Sequence, residues 1–279
     1  MRTLALVLLA ASLAAPALAG DPQSVADGIK QMKSRFGARC EGPNGRRKYM
    51  HLILYQQNRV VGTPFTNDIR SNASIALIAH NVELMKPPET PDGLGGDQLF
   101  SYPKDADCER RSAEDKKKDP LCAIAIEDQI AFCQVVREAF AAHAPPPGYL
   151  PVFELWFGGS LKKQIGQDVA GQTYPKGSFK ARCAVVGEDS GIPETAFAVV
   201  DVRPDIEMKQ VLIHEMGHSI GHSVGKPAWF EDQYPGENAP ADTNNIMASR
   251  KALSDPLAME MSAFQVQALC SSPYVSDTP

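Results

Sequence analysis

Three of the six histidines in this chain fall within nine residues, in the run His214-Glu215-Met216-Gly217-His218-Ser219-Ile220-Gly221-His222. Residues four apart on an α-helix lie one turn above each other. His214 and His218 therefore project from one side, and their imidazoles can converge on a single metal ion. Glu215 then lies beside that ion. A carboxylate there can take a proton from a zinc-bound water, which the ion acidifies to near neutrality, and the combination supports hydrolysis. Ordinary usage of His and Glu produces the five-residue pattern by accident in roughly one per cent or less of chains of this length.

The flanking sequence supplies the elements such a site needs. Thr195 to Arg203 (TAFAVVDVR) reads as a strand from its Val and Phe content, and Pro204-Asp205 with Glu207 makes an acidic helix start that suits the helix dipole. From there Ile206, Met208, Leu212, Ile213, Met216 and Ile220 fall on one arc at helical spacing, with His214 and His218 outside it. Such a helix has a buried side and a side that presents the metal.

His214 to Gly221 matches HExxHxxG, the first eight positions of the metzincin zinc motif, including the common glycine (Gly217) before the second histidine. Asn244-Asn245-Ile246-Met247-Ala248-Ser249 resembles the metzincin Met-turn, which places a methionine, here Met247, beneath the metal. A helix-like segment, Asp255 to Cys270, follows in the order that superfamily shows. The resemblance implies an α+β fold: a mixed twisted sheet with an early helix and a zinc-binding helix, then a smaller C-terminal subdomain from about residue 222 with the Met-turn and a terminal helix. It also implies that the strand at Thr195 to Arg203 lies along the cleft and pairs with an extended substrate.

The third ligand departs from the family pattern. Metzincins carry it six residues after the second histidine, where this chain has Val224, and the available histidine is His222. In an unbroken helix His214 and His222 are about 12 Å apart in rise, too far to share one ion. His222 is the expected third ligand if the helix ends at Gly221, since glycine tolerates the left-handed conformation that turns the chain. Glu231, Asp232, Tyr234 and Glu237 on the following loop remain open alternatives, a glutamate making the site resemble the gluzincins.

Residues 1–19 combine a basic start (Arg2), an apolar run from Leu4 to Ala15 and the A-x-A site Ala17-Leu18-Ala19, which reads as a secretory signal peptide. The expected organisation is that segment followed by one metallopeptidase-like domain, 20–279, with an elaborated N-terminal half (20–119), and a secreted or periplasmic destination. The apolar run is shorter than a membrane span, and no stable membrane insertion is expected. Losing Arg2 takes the net charge from −5 to −6, neither of which suggests a nucleic-acid partner.

Cys40, Cys108, Cys122, Cys133, Cys183 and Cys270 suit an exported chain with up to three disulfides. A helix over 121–142 separates Cys122 from Cys133 by about 16 Å and excludes that bond. Cys108–Cys122 is the expected one, closing the charged loop from Lys104 to Asp119, whose lysine run (Lys116 to Lys118) reads as solvated surface. Elsewhere we expect a strand at Lys48 to Gln56, a helix at Asn67 to Met85 and a linker at Pro87 to Gly96. A long helix from Asp119-Pro120 to His143 follows, then strands at Tyr149 to Phe157 and Ser178 to Val186. His51, His80 and His143 stand alone and are read as packing or surface histidines.

The sequence thus points to an exported zinc-dependent peptidase acting on peptide or protein substrates, with His214, His218 and His222 on zinc and Glu215 as general base. The opposing readings are a secreted zinc-binding or interaction protein without turnover, and a zinc hydrolase of non-peptide amides.

Overall fold

The computed structural model describes residues 38–57, 64–85, 100–102, 112, 114–115, 129–157, 170–202, 210–232, 244–248 and 259–279. Chain contacts separate a unit Phe36–Pro279 from Met1–Arg35. The expected signal segment, the linker and the lysine run lie outside the described residues.

The strands are β1 (Lys48–Gln57), β2 (Val82–Met85), β3 (Phe100–Tyr102), β4 (Leu150–Leu155), β5 (Gly171–Tyr174), β6 (Phe197–Asp201) and β7 (Val275–Ser276). The helices are α1 (Pro64–Ala79), α2 (Gln129–Ala142), α3 (Ser178–Ala184), α4 (Val211–Ser223) and α5 (Ala263–Ser271). The fold is α+β around one mixed sheet, ordered β2-β1-β4-β6-β5, with β3 and β7 also paired to β1. The run β2-β1-β4-β6 is parallel, whereas β5 is antiparallel to β6, Thr173 standing opposite Ala198.

Alternation along the strands builds two cores. Met50, Leu52, Leu54, Leu150, Val152, Ala198 and Val200 face one way, into a core shared with Leu77 of α1, Ile213 and Met216 of α4 and Val266 of α5. Ile53, Tyr55, Phe153, Phe197 and Val199 face the other, against α2 and α3. That second core is aromatic: Phe132 meets Phe179 edge-on at 4.9 Å, and Tyr55 stacks on Phe153 at 4.7 Å. The sheet is therefore covered on both faces, which explains why β1 and β4 read as nearly continuous apolar runs. At the end of β4 toward α1, the buried Glu154 is held by Arg70 at 3.0 and 2.6 Å and by Gln56 at 2.6 Å, which answers the cost of burying its charge.

Several expectations need correction. Ser178 to Val186 was expected to extend as a strand but forms α3, because Phe179 and Cys183, four apart, share a helical face on the aromatic core. The early helix ends at Ala79, and Asn81, in a left-handed conformation at φ 63°, turns the chain into β2. The last helix begins at Ala263, where Ser262 and Gln265 form a capping box. The strand within Thr195 to Arg203, expected to pair with a substrate, has no free edge: β6 is paired on both sides, to β4 and β5. The strand beyond it is β5, whose Gly-Gln-Thr-Tyr sequence carries too little apolar pattern to announce itself.

Two disulfides each tie elements on one side of the sheet: Cys133–Cys183 joins α2 to α3, and Cys40–Cys270 joins the segment before β1 to the end of α5. Cys133 is thus committed to Cys183 and not to Cys122. Cys108 and Cys122 lie outside the described residues, and the two bonds leave them only each other as intramolecular partners. Native protein should therefore titrate no more than two thiols before reduction and six after reduction in denaturant; four or more native thiols would contradict the two bonds described.

Candidate metal centre

Helix α4 carries the site. Its core side (Leu212, Ile213, Met216, Ile220) is fully buried, which fixes the helix rotation and turns His214 and His218 the other way. Their rings lie 4.9 Å apart and nearly perpendicular, and both Nε2 atoms approach one oxygen: His214 at 3.0 Å and His218 at 3.3 Å from Asp232 Oδ1. Among the described residues, His214, His218 and Asp232 are the group of side chains able to hold a metal ion.

The donor set fits a divalent ion. Two atoms each about 2.1 Å from a tetrahedral ion are about 3.4 Å apart, close to the separations between each imidazole nitrogen and the carboxylate. Nδ1–H of His214 donates to the carbonyl of Ile246 at 2.9 Å, which leaves Nε2 as the ring nitrogen with a free lone pair when the imidazole is neutral. Without an ion, Asp232 is itself the partner of both rings. Hydrogen bonds from His214 and then His218 hold its carboxyl far below the usual carboxylate range. Burial disfavours the charged form of His214, but the Asp232 hydrogen bond, the Glu215 charge and the Ile246 carbonyl together outweigh it and raise its pKa. A metal ion would answer the same negative carboxylate directly, taking the place of the His214 proton.

Glu215 is buried beside this group, and burial raises its pKa against the opposing pull of His214, His218 and a hydrogen bond from Thr173. Gly171 and Thr173, two apart on β5, face it together. A Cβ on residue 171 would come 2.6 Å from Glu215 Cγ, so only glycine lets the strand lie over the carboxylate. Thr173 Oγ1 is 2.8 Å from Glu215 Oε2 and 2.9 Å from the Glu215 carbonyl oxygen. Its one hydroxyl hydrogen serves one of them at a time. It donates to the carboxylate when Glu215 is ionised; when Glu215 is protonated, it accepts from the acid and donates to the carbonyl. The same residue therefore accommodates both proton states.

The expected end of the helix at Gly221 is corrected by the structure. Helix α4 continues through Ser223, and the left-handed residue is Gly225 at φ 69°. Gly225 N–H donates to His222 O at 3.2 Å and Lys226 N–H to Gly221 O at 2.8 Å, the paired bonds of a Schellman stop. His222 is therefore still helical, exposed, and outside the metal-capable group. Eight residues of unbroken helix, about 12 Å of rise, keep it from the ion His214 would share. Gly221 has a different task from the one expected: a Cβ there would meet Phe230 at 2.8 Å, so the glycine lets the 3₁₀ turn Pro227–Phe230 close against α4 and deliver Asp232. Of the other loop alternatives, Glu231 is exposed and outside the group, and Tyr234 and Glu237 lie outside the described residues.

Met247 is fully buried, and a Cβ at Gly217 would come 2.7 Å from its sulfur. Close packing of a turn on the helix thus accounts for the glycine inside the motif. Sequence reasoning missed Gly171 and Thr173; their signal, a glycine and a threonine at strand spacing, appears only once β5 is placed.

Compared with known proteins by sequence, the chain matches no protein-family model and no curated protein.

Asp232→Ala should weaken zinc binding by more than the roughly 10–100-fold that loss of an outer partner costs, whereas His222→Ala should leave it unchanged. Zinc titration against a competing chelator checks both. Loss of tight binding in His222→Ala with retention in Asp232→Ala would reverse the assignment.

Proposed function

We propose that this protein is an exported zinc-dependent peptidase similar to the metzincins, in which His214, His218 and Asp232 hold the metal and Glu215 moves the protons. The observation that carries the reading is the approach of two imidazole nitrogens to one carboxylate oxygen, with a buried glutamate next to them. Three ligands of this kind leave one tetrahedral position open, as catalytic rather than structural sites do. Zinc bound there would supply Lewis acidity, lowering the pKa of a water in the open position and polarising the scissile carbonyl.

The remaining steps belong to the chain. Glu215 accepts the proton of the attacking water and returns it to the leaving amine, a sequence that needs one carboxyl group stable in both proton states. Thr173 follows it through both, as its two short contacts allow. Among the described residues β5 is the last strand of the sheet; it runs over Glu215 and would offer its outer edge to an extended peptide, setting a backbone carbonyl beside the site by strand addition. This role replaces the one expected of the strand at Thr195 to Arg203. A peptide backbone is the substrate such an edge reads, and it favours a peptidase over a hydrolase of small amides. The two disulfides accord with an oxidising compartment, secreted or periplasmic.

Chelation should abolish cleavage of an unfolded protein substrate and zinc should restore it. Glu215→Ala should retain stoichiometric zinc while losing about 10²–10⁴-fold in turnover, because holding the metal and transferring the proton are separate tasks. A zinc-loaded Glu215→Ala protein with near-normal turnover would overturn the mechanism; zinc-loaded unaltered protein that cleaves nothing would favour a non-catalytic zinc-binding protein.

Thr173→Val removes a hydrogen bond that lowers the pKa of Glu215. Glu215 acts as base when ionised, so activity rises with pH through its pKa, and the variant's acidic limb should move to higher pH. The kcat/KM profile reads this directly; an unmoved or lowered limb would contradict the role given to Thr173.

A further inference from the structure

Two of the three groups that converge at the site are presented by segments outside α4 or depend on one. Asp232 follows the turn Pro227–Phe230, and His214 is oriented through the carbonyl of Ile246. One buried side chain joins those two segments. Gln265, in the first turn of α5, donates from Nε2 to the carbonyl of Trp229 at 2.9 Å and to Asn245 Oδ1 at 3.2 Å. Its Oε1 accepts from Asn245 Nδ2 at 2.9 Å and from the backbone N–H of Ser262 at 2.8 Å. Those four bonds use both hydrogens and both lone pairs of a primary amide.

The partners give the arrangement its direction. Asn245 and Gln265 exchange hydrogen bonds as a reciprocal amide pair, and Asn245 Oδ1 also accepts from Met247 N–H at 2.9 Å, which closes the turn around Ile246. Ile246 N–H is meanwhile tied to Glu260 O at 3.0 Å. The carbonyl that fixes His214 is thereby clamped from both sides. Trp229 lies three residues before Asp232, so the bond from Gln265 to its carbonyl anchors the approach of the third carboxylate. Gln265 is 1% exposed, and a buried amide of this kind is costly unless every bond is made.

We propose that Gln265 is a positioning residue for the metal centre, holding the His214 acceptor and the Asp232 loop in register with each other. The inference rests on the metal-site reading above. Capping α5 alone would require only the Ser262 bonds; the bonds to Asn245 and Trp229 serve segments that do not belong to that helix.

The test compares Gln265→Met, which keeps the volume and removes the amide, with Val266→Ala, which removes buried volume from the same helix and touches none of these bonds. Purified proteins are titrated with zinc, and the cobalt-substituted forms are read by visible absorption. Metal-free melting temperature is measured alongside. We expect both variants to melt lower. Only Gln265→Met should weaken zinc about 10–100-fold, the range for outer-shell partners, and alter the cobalt bands. Asn245→Ala, at a partly exposed position, should weaken zinc in the same direction and serves if Gln265→Met does not fold. Unchanged zinc affinity and cobalt spectrum in Gln265→Met or Asn245→Ala, or equal losses in Val266→Ala, would overturn the positioning role. Absence of zinc and cobalt binding in the unaltered protein would instead overturn the metal centre, and this inference with it.

Discussion

A carboxylate taken out of water is the constraint around which the site is arranged. Glu215 lies on a helix whose opposite side is locked into the core, so its own position is not free to adjust. Its surroundings adapt instead: β5 must be glycine at 171 to pass over it, and Thr173 must supply a hydroxyl to it. The charge of Glu215 in turn stabilises positive charge on His214. Removing an ionised carboxylate from water without partners would cost several kcal/mol, so these accommodations belong to the folding energetics as well as to chemistry. The parallel run of the sheet and the antiparallel β5 place the threonine and the glutamate face to face.

Small residues mark two places where another segment closes on α4. Gly217 admits Met247, and Gly221 admits Phe230. Both contacts bring in a segment that serves the site: the turn whose Ile246 carbonyl orients His214, and the turn that leads to Asp232. The glycines within the histidine run are therefore packing devices, in a helix that would otherwise favour larger residues. Disulfide Cys40–Cys270 fixes the end of α5, and through α5 the Gln265 side chain reaches both turns.

Much of this was legible before the fold was known, and the limits have physical causes. The apolar arc from Leu212 to Ile220 and the four-residue spacing of the histidines are local properties, so this part of α4 could be read directly. The helix begins at Val211 rather than at Pro204-Asp205, and Ile206 and Met208 lie outside the described residues. The strands β1, β4 and β6 were legible from their apolar runs. Two glycines four residues apart, however, offer two candidate helix stops. Packing against Phe230 goes with Gly221 staying helical while Gly225 turns, which leaves His222 on the helix and Asp232 beside the two imidazoles. The edge strand β5 was invisible because its side chains answer Glu215, a residue 40-odd positions away, rather than any pattern of their own. In Ser178 to Val186, tertiary burial of Phe179 and Cys183 overrode the apolar content that suggested a strand.

The central claim is the identity of the three groups that meet the metal. Crystals of the zinc-loaded protein, measured on both sides of the zinc absorption edge, test it without recourse to activity. One strong anomalous peak per chain is expected, within about 2.3 Å of His214 Nε2, His218 Nε2 and an Asp232 carboxylate oxygen, with His222 remote in solvent. A peak bound by His222 in place of Asp232, or no peak between His214 and His218, would contradict it.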